Sequence, residues 1–232
     1  KGLERLNYKM VSVARKTSAL RSFYKWMFEK KVILTDPMAK IKLPRCVPQR
    51  AKTATHEQLL ALLAMPDRGS PLGARDFAIV QLICATGIKT NELIHLDVDN
   101  IMIDGDMPRI NIGGKKPRTQ ALDIPSIVAL RAYLEARNMM EIRDANVLFI
   151  NKHGTRISTR PIRRKIQKYL GMAGIDVNIP PSALRHTYAQ HLLEKGVPPA
   201  QIARRLGNTD IKGASVRSMY NYATSKTTPP TA

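Results

Sequence analysis

Residues 181–222 read PSALRHTYAQHLLEKGVPPAQIARRLGNTDIKGASVRSMYNY. Leu184, Tyr188, Leu192 and Leu193 recur at helical spacing, so a helix starting near Pro181 turns one face inward, with Arg185 and His186 a residue or two off that face. Arg185 is thereby placed at the edge of a core, where a cation held by packing can grip an anion. Gly196 ends this helix, and Val197-Pro198-Pro199 opens another with Ile202, Ala203 and Leu206 as its inner stripe. A Leu206-Gly207-Asn208 turn and two closely spaced tyrosines, Tyr220 and Tyr222, complete the stretch. Taken singly, Arg185 reads as half of a salt bridge and the tyrosines as core residues; it is the assembled pattern that asks for more.

The whole chain has 232 residues, enough for one sizeable core plus a smaller unit, and its 44% hydrophobic content is that of a globular protein. Lysine and arginine number 38 against 18 acidic residues, a net charge of +20 and a pI near 10.3, which exceeds what solubility requires and points to a polyanion, nucleic acid first. A ribosomal or membrane-surface protein shares such a charge, but no apolar run approaches the roughly 20 residues of a membrane span. No signal peptide is visible, so a cytoplasmic location is expected. Cys46 and Cys84 are far apart and read as reduced and structural. The histidines show no zinc spacing; His186 and His191, five apart on one helix, fall on different faces. Neither a metal nor a cofactor is expected.

Residues 1–30 read as helices, with an apolar stripe through Val11, Ala14, Phe23 and Trp26 and basic residues Lys9, Arg15, Lys16, Arg21 and Lys25 on the other side. Ile41–Lys52 is proline-broken and basic, which marks a linker through Pro44, Arg45, Pro48 and Arg50. Thr55 as N-cap with Gln58 at N3 opens a helix to Ala64 in capping-box spacing. Arg75–Thr86 is almost wholly apolar and predicts the buried centre of the larger domain. Met107–Ile112 and Thr119–Ile124 alternate like strands around Gly113–Arg118, a β-hairpin with a basic tip. Ile127–Asn138 predicts a further helix, Asn146–Ile150 a short strand, and Thr159–Leu170 a helix carrying Arg160, Arg163, Arg164, Lys165 and Lys168. Such a basic helix supplies affinity and register on a phosphate backbone but no sequence choice.

The helix Arg185-His186-Thr187-Tyr188-Ala189-x-His191-Leu192-Leu193, then Gly196, Ile202-Ala203-x-x-Leu206-Gly207 and a tyrosine soon after, resembles the C-terminal signature of the tyrosine recombinases, nearest their Xer and phage-integrase branch. Ala85-Thr86-Gly87-Ile88-Lys89-Thr90-Asn91-Glu92-Leu93 is similar to that family's Thr-Gly-Leu-Arg-x-x-Glu-Leu segment. Lys16–Trp26, followed by Asp36-Pro37-Met38 and Ile41–Pro44, resembles the end of its helical core-binding domain. The resemblance implies a mainly α fold with a small β-hairpin or sheet, an α+β class. Residues 1–43 are then the C-terminal part of a core-binding domain, 44–54 a linker and 55–232 the catalytic domain. The family has more helix before this point, so the expectation is either a trimmed N-terminus or an unusually small first domain.

By that resemblance the activity is site-specific DNA recombination or integration through a 3′-phosphotyrosyl intermediate, on double-stranded DNA, with self-association there as a dimer or tetramer. Arg185 holds the scissile phosphate and Lys115 protonates the leaving oxygen, with Lys116 close behind. Tyr220 attacks if an insertion around Lys212-Gly213-Ala214 brings it into place; Tyr222 is the alternative. Three positions depart from the pattern. Lys89 replaces the first arginine, as a natural or an introduced change, and an ammonium offers a point charge where a guanidinium offers two parallel hydrogen bonds. Ser182 and Asn208 stand where the family has histidines, and neither shuttles a proton near neutral pH. The resemblance thus leaves two readings, a recombinase weakened at Lys89, Ser182 and Asn208, or a DNA-binding regulator on the same fold. The residues expected against DNA are Lys16, Arg21, Lys25, Arg45, Arg50, Lys116, Arg118, Arg160, Arg163 and Arg164.

Overall fold

The computed structural model describes residues 8–42, 44, 53–175 and 181–208. The chain divides into two compact units, Lys1–Gln49 and Arg50–Ala232, and the division falls inside residues 44–54. Among the described residues of the first unit, one helix, α1 (Met10–Glu29), takes most of the span read as helices over residues 1–30. Val13 and Thr17, one turn apart, are its buried residues, and the Thr17 hydroxyl donates to the Val13 carbonyl at 2.8 Å. The apolar stripe is mostly open: Phe23 and Trp26 are 54% and 52% exposed, and their rings stack on one another at 6.4 Å.

The second unit is organised on α3 (Pro71–Thr86), which packs most extensively against α5 (Ile124–Arg137) and also against α2 (His56–Ala64), α6 (Thr159–Met172) and α7 (Pro181–Glu194). The capping box of α2 forms as expected, with Thr55 and Gln58 exchanging hydrogen bonds at 3.2 and 2.9 Å. α3 begins four residues before the apolar run, because Ser70 caps the Gly73 N–H and Pro71 occupies the first turn. Ala78, Ile79, Val80, Leu82 and Ile83 along it are at most 2% exposed and form the centre of the core.

Two charges interrupt that run. Arg75 and Asp76 are both buried, and the arginine binds Asp76 Oδ1 through Nε at 3.0 Å and Nη2 at 2.6 Å, and the Ile150 carbonyl through Nη1 at 2.9 Å. Asp76 Oδ2 takes the Tyr169 hydroxyl at 2.8 Å and lies 3.3 Å from Lys165 Nζ, so Lys165 is drawn in from the outer face of α6. The pair is thus hydrogen-bonded on both sides, the condition under which a buried ion pair is tolerated.

A short helix α4 (Thr90–Leu93) and a 3₁₀ turn at Val98–Asn100 lead to a three-stranded antiparallel sheet, β1 (Ile101–Met102), β2 (Arg109–Ile112) and β3 (Arg118–Ala121), in that spatial order. Ile110 pairs with Gln120 and Ile112 with Arg118, so these four share one face of the hairpin, and Arg109, Asn111 and Thr119 share the other. The second strand ends before Ile124 because Asp123 accepts from the Ser126 N–H at 3.0 Å and Pro125 sits in the first turn of α5, which starts three residues earlier than expected. Asn146–Ile150, expected as a strand, pairs only through isolated bridges, Asp97 with Val147 and Ile150 with Arg156. Its backbone shares three hydrogen bonds with neighbouring segments, Val98 N–H to Asn146 O at 2.7 Å, Leu148 N–H to Leu96 O at 3.1 Å and Ile157 N–H to Phe149 O at 3.0 Å, and side chains complete the set. The Tyr133 hydroxyl donates to Leu148 O and accepts from the Ile150 N–H, and Arg137 donates to the Ala145 and Val147 carbonyls. α8 (Pro199–Arg205) follows α7 and packs on it through Ile202 and Leu206 against Ala189 and Leu192. Among the described residues no helix is long and apolar enough to cross a membrane.

Asp76→Ala leaves Arg75 buried without its carboxylate and removes the acceptor of Tyr169. The expected loss is about 3–5 kcal/mol of stability, read as a fall in the urea midpoint at unchanged slope. A loss below about 1 kcal/mol would show that the pair is not what holds α6 on α3.

Candidate functional site

The site grows from the end of α3. Gly87 closes that helix in the left-handed region, φ 62°, and a Cβ there would lie 2.6 Å from a Tyr188 ring carbon and 2.8 Å from a Leu206 methyl. Only glycine allows this approach. The Gly87 carbonyl meets Arg185 of α7, whose Nη1 donates to it, while Nη2 donates to the Leu206 carbonyl and lies 3.4 Å from Asn208 Oδ1. Burial pushes the Arg185 guanidinium down to about 10, with Glu92 opposing and Arg118 adding to the shift, so it stays cationic at neutral pH. Burial also lowers the neighbouring His186, and the Arg185 charge lowers it further.

Beside this lies a second charged group. Glu92 receives Arg118 in a two-point fork, Nη1 to Oε1 at 3.0 Å and Nη2 to Oε2 at 2.8 Å. It also accepts from the Lys89 backbone N–H at 3.0 Å, capping α4, and its Oε1 is 3.6 Å from Lys89 Nζ. Burial alone would raise the Glu92 carboxyl, but the Arg118 hydrogen bonds, the Lys89 N–H and both positive charges bring it below the usual value. Arg118 Nε reaches across to the Arg205 carbonyl at 2.8 Å, and the Gln120 amide donates to the same oxygen.

The structure therefore brings Arg185 and Asn208 into contact and sets Lys89 two residues beyond the carbonyl that Arg185 holds. Ser182 is exposed in the first turn of α7, three residues before Arg185 on the same side of the helix. Lys115 is exposed at the hairpin tip, which turns at Gly114 with φ 97°, and Lys116 is half-buried. Arg160, Arg163 and Arg164 are exposed along the outer face of α6, opposite buried Ile162, Ile166 and Leu170. In the first unit Lys16 and Lys25 are exposed, and Arg21 is bonded to the Ile41 carbonyl. Arg118 departs from the surface role expected of it: its side chain is 8% exposed and committed to Glu92 and Arg205. Arg45, Arg50, Cys46, Tyr220 and Tyr222 lie outside the described residues. Burial raises the Cys84 thiol to about 12, which suits an inert core thiol. No cluster of three potential metal ligands occurs among the described residues.

Sequence reading missed Glu92 and Gln120 as members of the site. Glu92 stands three residues after Lys89, the spacing of a capping box, and that signal was available. The inward turn of Arg118 was not, because it depends on the hairpin register. Chemically, Lys89, Arg118 and Arg185 gather around one carboxylate, an excess of positive charge suited to a phosphate group.

Comparison with known proteins places this geometry. The model of the phage integrase family matches residues 52–225. Tyrosine recombinase XerD of Lacticaseibacillus casei is 30% identical over 207 residues, covering 88% of this chain and 71% of the relative. Tyrosine recombinase XerC of Chlamydia muridarum (strain MoPn / Nigg) is 32% identical over 206 residues, covering 88% of this chain and 65% of the relative, so the chain spans about two thirds of their lengths. Among solved structures, the XerH site-specific recombinase bound to difH substrate in a pre-cleavage complex superposes with a TM-score of 0.74 at 17% identity, over 96% of this chain and 66% of that one. The Tn1549 transposon integrase in complex with circular intermediate DNA gives 0.70 at 13%, over 98% and 81%. The fold is shared with these structures, and with the family match extending from the start of the second unit through the Arg185 cluster, the chain belongs to the phage integrase family, among relatives that are Xer-type tyrosine recombinases.

Proposed function

We propose that this protein cuts and rejoins double-stranded DNA at a specific site, through a 3′-phosphotyrosyl intermediate, as a self-associating recombinase acting in the cytoplasm of a prokaryotic or phage-infected cell. The observation that carries the reading is the Arg185 guanidinium fixed between the Gly87 and Leu206 carbonyls, with Asn208 and the Lys89 turn beside it. Arg185 and Lys89 neutralise the non-bridging oxygens of the scissile phosphate. The Tyr220 oxygen attacks phosphorus, the bond to the 5′-oxygen breaks, and Lys115 gives its proton to that leaving oxygen while the tyrosine proton passes to solvent. Rejoining is the reverse step, with a 5′-hydroxyl attacking the phosphotyrosyl link. Ser182 and Asn208 contribute a hydroxyl and an amide as hydrogen-bond partners but no imidazole proton, which slows the step. A duplex nicked just beyond the scissile phosphate, so that cleavage releases the short fragment bearing the freed 5′-hydroxyl, traps the covalent adduct and tests the reading; binding without any adduct would favour the regulator.

The outer face of α6 supplies cations to the phosphate backbone, so affinity for duplex falls steeply with salt. Changing Arg160, Arg163 and Arg164 to Gln together should flatten the slope of log K against log salt by roughly 0.9 for each phosphate that is no longer neutralised. An unchanged slope would take α6 off the DNA.

Tyr220→Phe is expected to abolish the adduct and Tyr222→Phe to leave it detectable by gel shift under denaturing conditions. The reverse result moves the nucleophile to Tyr222.

Lys89→Arg restores two-point phosphate contact and should raise single-turnover adduct formation by roughly 10². Adding Ser182→His and Asn208→His should raise it further. A parent chain that already cleaves as fast as the triple variant would show that an ammonium, a hydroxyl and an amide suffice.

A further inference from the structure

We infer that Arg118 is a positioning residue of the strand-cleavage site, locking the hairpin that carries Lys115 to the Lys89 turn and to the Leu206–Asn208 turn; this rests on the recombinase reading above. The pairing of Ile112 with Arg118 puts the arginine on the inner face of the hairpin, beside Gln120 two residues on. Its three nitrogens all find acceptors: Nη1 and Nη2 fork onto Glu92, and Nε binds the Arg205 carbonyl at 2.8 Å. These acceptors belong to α4 and to the end of α8, so one planar group ties β3 to two other elements. The turn after α8 lies directly against it. A Cβ on Gly207, whose φ is 63°, would fall 2.8 Å from Arg118 Nη1.

Successive carbonyls of that turn are held by arginines from different elements. Arg118 and Gln120 take the Arg205 oxygen, and Arg185 takes the Leu206 oxygen. Lys115 is three residues before Arg118, with Pro117 between them to restrict φ, so the hairpin tip inherits the anchor. On the Glu92 side the same carboxylate caps the Lys89 N–H. Arg118 therefore sets the spacing between proton donor, phosphate-binding lysine and phosphate-binding arginine, and an error of about 1 Å in such spacing costs roughly 10² in rate. A direct phosphate contact would require a guanidinium that is 8% exposed to leave its carboxylate.

The test compares the parent with the double variant Glu92→Gln/Arg118→Gln and with Arg118→Lys. The double change removes both charges together, so neither is left buried alone, and a glutamine still accepts from the Lys89 N–H. Arg118→Lys keeps a cation against Glu92 should the double variant fold poorly. Duplex affinity and its salt slope are expected to match the parent in both. Single-turnover adduct formation on saturating nicked duplex should fall roughly 10²-fold in the double variant, and Arg118→Lys should recover part of it. Amide exchange at Leu206–Asn208 should quicken while Ala78–Ile83 stay protected. A salt slope reduced by about one, with weaker binding, would make Arg118 a phosphate contact and overturn the proposal. Unchanged cleavage at full DNA occupancy, or exchange that rises evenly through the core, would also overturn it. If the parent forms no adduct, it is the recombinase reading that fails, and the salt slope with the exchange pattern still decides what Arg118 does.

Discussion

The Arg185 guanidinium between the Gly87 and Leu206 carbonyls is the contact on which the site depends. Gly87 ends α3 and Leu206 ends α8, so both oxygens belong to the last turns of helices, where carbonyls lack intrahelical partners and the helix dipole is negative. A cation is the natural partner for two such ends, and hydrogen bonds to a charged donor contribute more than neutral ones. The arrangement offsets the desolvation that lowers the guanidinium pKa, and the group stays cationic at neutral pH. It also explains Gly87, since a side chain there would push Tyr188 and Leu206 away and with them the second carbonyl.

The net charge of +20 contains two populations of arginine. Arg75, Arg118 and Arg137 are buried or nearly so, and each is committed to backbone carbonyls or a carboxylate inside the second unit. Arg156 does similar work, bridging the Ile94 carbonyl and Asp97. The outer population on α6, Arg160, Arg163 and Arg164, is exposed on the face opposite its apolar stripe. Charge alone therefore points to a polyanion, but only geometry separates the arginines that meet it from those that build the frame.

What was legible in the sequence was local. Caps and glycines marked α2 and α7, the apolar run marked α3, and the Arg185 to Asn208 segment carried its own pattern within one short stretch. What was not legible depends on partners far along the chain. Residues 146–150 are as apolar as a central strand, and all of Val147–Ile150 is buried, yet they form isolated bridges rather than a ladder, and Tyr133 and Arg137 of α5 take up part of their backbone. Arg118 sits among basic residues at a hairpin tip, and only the register with β2 shows that it points inward to Glu92, 26 residues away. The stripe on α1 obeys helical periodicity, but periodicity shows which residues share a face and not whether that face is covered.

Lys89, which the proposed mechanism sets against the scissile phosphate, sits in a turn whose geometry does not depend on its head group. The turn that carries it is held at the Gly87 carbonyl by Arg185 and at the Lys89 N–H by Glu92, so the backbone is fixed whatever head group the side chain bears. The ammonium is 47% exposed and 3.6 Å from Glu92, and an ion pair of that exposure is worth under about 1 kcal/mol, so leaving it for a phosphate costs little. Reach and charge are therefore preserved. What the lysine lacks is the rigid two-point fork, whose contribution appears when charge spreads over the phosphate oxygens as the bond breaks. On the mechanism proposed above, the weakness at this position is one of transition-state geometry, set in a turn whose backbone is already fixed.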